Sequence, residues 1–191
     1  MIIERVTGHA LGYEYERRIF APLGLRHTRF AVTRSMPRPY SHGYEILDPG
    51  TWPLDVTATS PTIAWAAGGI VSTDEDLTTF MRALVGGPLL RPTLLRQMKM
   101  AAAGSLAGLA RLGILGTYGY GLIHYTWAGG CGVWGHRSDF AGYHTLAVAN
   151  SRHRGAAMYE TTQGQSTLLA LATAKAERLI SCRMRFGHIG T

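Results

Sequence analysis

The chain has 191 residues, 46% of them hydrophobic and 16% charged, the composition of a globular domain with a buried core rather than of a disordered segment. No run of about eighteen apolar residues occurs, so no membrane-spanning helix is expected; the most apolar stretch, Ala101 to Leu115, is broken by glycines and an arginine and reads as a packed helix or a loop. The net charge is +7 and only Lys99 and Lys175 are lysines, but the arginines are scattered, with no aromatic-interleaved stripe or recognition module, so no nucleic-acid partner is expected.

The N-terminus, Met-Ile-Ile-Glu-Arg-Val, shows no basic region followed by an apolar stretch and a small-residue cleavage site, so no signal peptide is read from it. Leu11, Tyr15 and Ile19 recur at helical spacing with Phe20 beside them, Glu14 and Arg18 can pair across one turn, and Pro22 is expected to stop this helix. From Thr33 to Pro61 prolines, glycines and aromatics follow without period, which predicts a surface loop. Ser72 and Glu75 have the spacing of a capping box, opening a helix with Leu77, Phe80, Met81 and Leu84 on one face and Gly86-Gly87-Pro88 at its end. A shorter helix is predicted over Thr93 to Met100.

Beyond it the pattern shortens to β-type runs: Tyr118 to Tyr125, Gly132 to Arg137, Gly142 to Asn150 and Gly155 to Thr161, the makings of an antiparallel meander. A final helix, Ser166 to Ile180, carries an apolar side suited to lying on a sheet. The expected organisation is a mainly helical part over 1–117, strands plus a helix over 118–182 and a tail over 183–191.

Several segments match one family in order. Ile3-Glu-Arg-Val-Thr-Gly with Tyr15-Glu-Arg-Arg-Ile-Phe-Ala-Pro-Leu-Gly-Leu-Arg-His-Thr28, then Trp65-Ala-Ala-Gly-Gly-Ile-Val-Ser-Thr-Asp-Glu-Asp-Leu77, then Tyr118-Gly-Tyr-Gly-Leu122, then Gly135-His-Arg-Ser-Asp-Phe-Ala-Gly-Tyr143 resemble the serine β-lactamase-like and D-alanyl-D-alanine carboxypeptidase family, related to class C β-lactamases. The resemblance covers most of the chain except Ala101 to Thr117. It implies an α+β fold, an antiparallel sheet flanked by helices, incomplete at the N-terminus. It also implies acyl-enzyme hydrolysis of a peptide, β-lactam or ester, with no cofactor and no metal.

In that family a Ser-x-x-Lys helix start, a Tyr-x-Asn or Ser-x-Asn loop and a Lys/His-Thr/Ser-Gly strand meet at the site. Only the strand has a counterpart: no serine here precedes a lysine by three residues, and Asn150, the sole asparagine, follows Val148. The match starts just past where Tyr-x-Asn would lie, so the omission reads as truncation, and the chain alone is expected to be inactive. Carried over by position, His136 takes the Lys/His place, Arg137 the Thr/Ser place and Ser138 the glycine place, with the amide of Asp139 as half of an oxyanion hole. Arg137 keeps a cation where the family binds a carboxylate but is far larger than threonine, and Ser138 adds a side chain where the family has none. Trp65 matches an aromatic near the cleft, though a packed tryptophan fits its residue type as well.

Cys131 and Cys182 are the only cysteines, and a similar pair occurs in a secreted member of the family. The resemblance thus implies a disulfide and an extracellular or periplasmic location; on a loop-entropy model a bridge closing a loop of 182 − 131 = 51 residues restricts the unfolded chain by roughly 4 kcal/mol. The expected partners are a small-molecule or peptide substrate, once an N-terminal segment completes the site, and a chain docking on an open sheet edge at Gly155 to Thr161. A cysteine-hydrolase set of Cys131, His136 and Asp139 fits poorly, because residues 131 and 136 point to opposite faces of a strand. A metal site from His124, His136, His144 and His153 matches no zinc spacing. A non-catalytic pseudoenzyme or fragment that binds a ligand or a complementing chain is the competing function.

Overall fold

The structure, a computed structural model, describes residues 2–48, 50–100, 114–127, 131–150, 152–164 and 175. The chain opens with α1 (Ile2–Thr7), ended by Gly8 at φ 73°. Then α2 (Leu11–Tyr15) widens into a π turn over Glu16–Phe20 and narrows again as α3 (Ala21–Leu23). Pro22 therefore does not stop the helix, contrary to the sequence expectation. Proline lacks an N–H and its ring crowds the carbonyl four residues back, and a wider turn just ahead of it relieves both. The stop is Gly24, left-handed at φ 67°. There the amide of Leu25 bonds the Phe20 carbonyl at 2.9 Å and that of Gly24 the Ala21 carbonyl at 3.1 Å, a Schellman cap with Phe20 and Leu25, the positions of its apolar pair, both buried.

The predicted Glu14–Arg18 pair forms. Glu14 is buried and also accepts from Arg17 at 3.2 Å and pairs with His9 Nδ1 at 2.9 Å. The Arg18 bond most of all, and His9 and Arg17 after it, outweigh burial and hold its pKa at about 2. A carboxyl depressed in the fold contributes stability above its unfolded pKa and loses it as pH falls through the folded one. Acid unfolding should accordingly steepen between about pH 4.5 and about pH 2, and Glu14→Gln should flatten the circular-dichroism titration in that window.

Strand β1 (Arg29–Phe30) pairs antiparallel with β4 (Ile70–Val71), while β2 (Tyr44–Ile46) and β3 (Leu54–Asp55) form a hairpin inside the loop region. Helix α4 (Asp74–Gly86) follows, and its cap is Thr73, not Ser72: Thr73 is extended and its hydroxyl accepts from the Asp76 amide at 3.3 Å. Ser72 is engaged elsewhere, its hydroxyl 2.7 Å from that of Thr28. Asp76 does not fold back on the cap either. Its buried carboxylate crosses to the His27 amide and the Thr28 hydroxyl, each at 2.8 Å, pinning the stretch after α3 to the start of α4. Gly87, at φ 117°, ends α4 as expected, and α5 (Pro92–Lys99) matches the predicted short helix.

The main sheet is an antiparallel meander of β5 (Ile114–Tyr118), β6 (Ile123–Trp127), β7 (Cys131–Phe140), β8 (Tyr143–Ala149) and β9 (Gly155–Glu160), in that spatial order. The single run predicted over Tyr118 to Tyr125 is the end of β5, a tight turn and the start of β6, because Gly121 takes φ 77° and reverses the chain. A last strand, β10 (Thr162–Gly164), runs parallel to β2 and ties the loop hairpin to the end of the meander. Strand alternation gives the sheet two apolar faces. Ala147 and Ala149 pack with Met81, Leu84 and Val85 of α4 and with Leu122, while Val133, Leu146 and Val148 point the other way and are equally buried.

The fold is thus α+β with antiparallel sheets flanked by helices. Apart from Lys175, the helix predicted over Ser166 to Ile180 lies outside the described residues, as do the run Ala101 to Gly113, Cys182 and the pairing of Cys131 with Cys182. No helix among the described residues is long and apolar enough to cross a membrane.

Candidate functional site

The site grows out of β7. Alternation puts Trp134, His136, Ser138 and Phe140 on one face and Gly135, Arg137 and Asp139 on the other. The first is the α4 face, since Trp134 joins Ala147 and Ala149 against that helix. Past Trp134 the same face continues as exposed His136, then Ser138 beside Thr145, then Phe140 beside Tyr143.

The strand is also half open. Its pairing with β6 stops at Gly135, whereas its pairing with β8 runs on to Phe140, so among the described residues no strand covers the other edge of 136–140. Phe140 and Tyr143 close the hairpin across the two-residue turn Ala141–Gly142. In an antiparallel ladder the amides alternate in direction, so if that closing pair is hydrogen-bonded the amides of Asp139 and Arg137 face the uncovered edge. Such an edge can take an extended acyl group and offer it an amide hydrogen.

His136 is held at both nitrogens: Nε2 lies 3.0 Å from the Tyr118 hydroxyl and Nδ1 is bonded to the Arg137 carbonyl. The Arg137 side chain is on the opposite face, where Nη2 is 3.2 Å from His144 Nε2. His144 is buried and its Nδ1 bonds the exposed Asp139 carboxylate. Arg137, His144 and Asp139 therefore form one chain of contacts behind the strand, and this, rather than a place beside His136, is where the structure puts the guanidinium and the carboxylate. The alternation of β7 is the reason.

Trp65 opens a short 3-10 turn (Trp65–Ala67) with φ 44°, rare for a large side chain. Its carbonyl accepts from Gly69 at 2.7 Å, and a Cβ at Gly69 would stand 2.6 Å from that oxygen, which accounts for the second glycine after Trp-Ala-Ala. Its ring, 38% exposed, meets Phe30 edge-on at 5.1 Å. Gly68 in turn approaches the Phe140 ring, so the Trp65 turn abuts the end of β7 on the face that carries His136 and Ser138.

The other histidines are dispersed. His124 stacks on Trp134 at 4.6 Å, with a pKa lowered by burial and then by Lys99, and the His153 ring lies against Gly86. Among the described residues no group of three or more His, Cys, Asp or Glu is placed to hold a metal. Tyr118 and His144 are the site neighbours that sequence reasoning did not single out. Tyr118 was visible only as part of a matching segment, and His144 only as one of several histidines.

The beta-lactamase family model matches residues 1–179. Among solved structures, a D-stereospecific amidohydrolase from Streptomyces sp. is 36% identical over 84% of this chain and 46% of its own, with a TM-score of 0.75. A D-amino acid amidase from Ochrobactrum anthropi SV3, complexed with L-phenylalanine amide, is 24% identical over 97% of this chain and 54% of its own, with a TM-score of 0.77. A penicillin binding protein from Bacillus halodurans, at 19% identity and a TM-score of 0.71, covers 93% of this chain and 52% of its own. The chain spans about half the length of these proteins.

Proposed function

Since the chain belongs to the beta-lactamase family, we propose that it supplies the sheet and one wall of a serine acyl-hydrolase cleft, acting on amides or peptides of D-amino acids when a segment carrying the nucleophile completes it. The observation that carries this reading is the edge of β7 at 136–140, which no strand covers among the described residues, with His136 and Ser138 on the face toward the Trp65 turn. The substrate class is supported by the likeness to the D-stereospecific amidohydrolase.

His136 gives the wall its imidazole and the Asp139 amide a donor for the oxyanion that forms when a serine attacks the acyl carbon. Trp65 closes the far end of the cleft, Ser138 lines its floor, and Arg137 stiffens the strand from behind through His144. The serine, its lysine and the second proton carrier come from a Ser-x-x-Lys and a Tyr-x-Asn, neither of which these 191 residues contain. The outer edge of β9, on which no further strand of the sheet lies among the described residues, is the docking place for the completing segment. An exported location and a Cys131–Cys182 bridge belong to the same reading.

The test is covalent labelling. Incubated with a fluorescent penicillin, the chain alone should stay unlabelled, while the chain extended by a segment bearing both motifs should take up label and hydrolyse D-phenylalanine amide. Label on the chain alone would overturn the proposal. A second reading, a fragment that binds without catalysing, is favoured by Arg137 and Ser138 standing where the family has small residues, and it predicts that the extended chain also stays unlabelled.

A further inference from the structure

Tyr118 stands at the end of β5, where the turn into β6 is fixed by the Gly119 amide on the Leu122 carbonyl at 2.7 Å and the Tyr120 amide on the Met98 carbonyl at 2.9 Å. A Cβ on Gly119 would run into the Met98 carbonyl, so α5 and this turn are in close contact. The phenol is thereby carried past the end of β6 to β7. Its hydroxyl is 3.0 Å from His136 Nε2, and the two rings meet edge to face, centroids 5.7 Å apart at 81°.

The hydrogen-bond roles follow from what each atom can do. The Arg137 carbonyl bonded to Nδ1 can only accept, so Nδ1 carries the proton. In a neutral imidazole Nε2 then holds a lone pair, and the Tyr118 hydroxyl must donate to it. Both contacts select one tautomer and one ring orientation. Tyr118 is 36% exposed and His136 is exposed as well, so the pair borders solvent just where β7 loses its β6 partner.

We propose that Tyr118 is the positioning residue for His136: its phenol holds the imidazole in the Nδ1–H form and sets a hydroxyl beside the ring, at the edge of β7 that no strand covers among the described residues. This rests on the reading that His136 lines the cleft. In the family pattern the strand position is a lysine or a histidine; here the imidazole has its outward nitrogen already loaded by a donor. An acyl group entering along that edge meets the phenol oxygen beside the imidazole. The Tyr118-Gly-Tyr-Gly-Leu122 segment then has a use beyond closing the β5–β6 turn.

The test reads the ring nitrogens directly in the 191-residue chain. With nitrogen-15-labelled histidine, and with His136→Gln to assign the signal, Nδ1 of His136 should show the protonated, pyrrole-type resonance and Nε2 the pyridine-type resonance displaced upfield by an accepted hydrogen bond. In Tyr118→Phe the Nε2 resonance should shift downfield to the position of an uncapped nitrogen while the backbone amide spectrum is retained. Tyr120→Phe, whose ring is 71% exposed on the same turn, should leave it in place. A protonated Nε2 in the native chain, or an Nε2 signal unmoved by Tyr118→Phe, overturns the proposal. Penicillin labelling does not enter this measurement, so a failure of the tyrosine–histidine contact and a failure of the cleft reading are seen separately.

Discussion

Asp76→Ala is expected to cost about 3 kcal/mol of stability, because it strips the buried Thr28 hydroxyl and the part-buried His27 amide of their acceptor at once. The His27 amide and the Thr28 hydroxyl both end on this carboxylate at 2.8 Å, bonds to an ionised group are worth roughly 1.5 to 3 kcal/mol each, and a buried donor left unsatisfied costs about as much again as a neutral bond. For a domain of this size each kcal/mol moves the melting temperature by about 3 °C, so the variant should melt about 9 °C lower. Asp76→Asn keeps one acceptor oxygen and should lose about half as much. Thermal denaturation followed by circular dichroism decides it: a drop of less than about 3 °C for the alanine variant would mean that the joint between the α3 cap and α4 is held by something other than this carboxylate.

Gly135→Ala should be at least as damaging, by about 3 kcal/mol or more, and it strikes the site as well as the fold. A Cβ at this position would collide with the Ala147 carbonyl oxygen and stand 2.7 Å from the Val148 side chain, neither of which can yield without parting β7 from β8. Since His136 pairs with Ala147, the same displacement carries the imidazole away from Tyr118. Chemical denaturation should show the loss, and the amide signals of residues 134–138 should shift most. Unchanged shifts there, with stability retained, would contradict the close packing of these strands.

The parts of the molecule written in short-range chemistry were legible in the sequence. Glu14 and Arg18 are four residues apart on a helix and meet; Gly87 ends α4; the meander follows from β-type runs between turn residues. Where two similar groups compete, sequence alone did not choose between them. Ser72 and Thr73 are adjacent hydroxyls, either of which can cap a helix, and the choice falls to Thr73 because Thr28, forty-four residues away in sequence, claims Ser72. Pro22 misled for a related reason, since a widened turn lets a helix pass a proline and nothing local announces the widening. Nor could the three-residue pairing of β10 with β2 be read, being too short to leave a periodic trace.

The same limit shaped the candidate site. The motif located β7 and its neighbourhood, but the side on which each residue falls depends on register. Carrying His136, Arg137 and Ser138 over as a block ignored that Arg137 faces away from its two neighbours. The contact between Tyr118 and His136 joins residues eighteen positions apart across an intervening strand, and no spacing rule reaches that far.

Two glycines lie back to back where the long loop meets the β7–β8 hairpin. A Cβ on Gly142, already left-handed at φ 73°, would stand 2.6 Å from the Gly43 carbonyl carbon, and one on Gly43 would strike the Tyr143 ring at 2.5 Å. The Tyr143 hydroxyl also bonds the Ser41 carbonyl at 2.8 Å. Hairpin and loop are therefore interlocked like the halves of a clasp. An engineer who wished to alter what enters beside β7 by grafting in another loop would have to transplant both halves together, since a foreign residue at either glycine forces the other half off its seat.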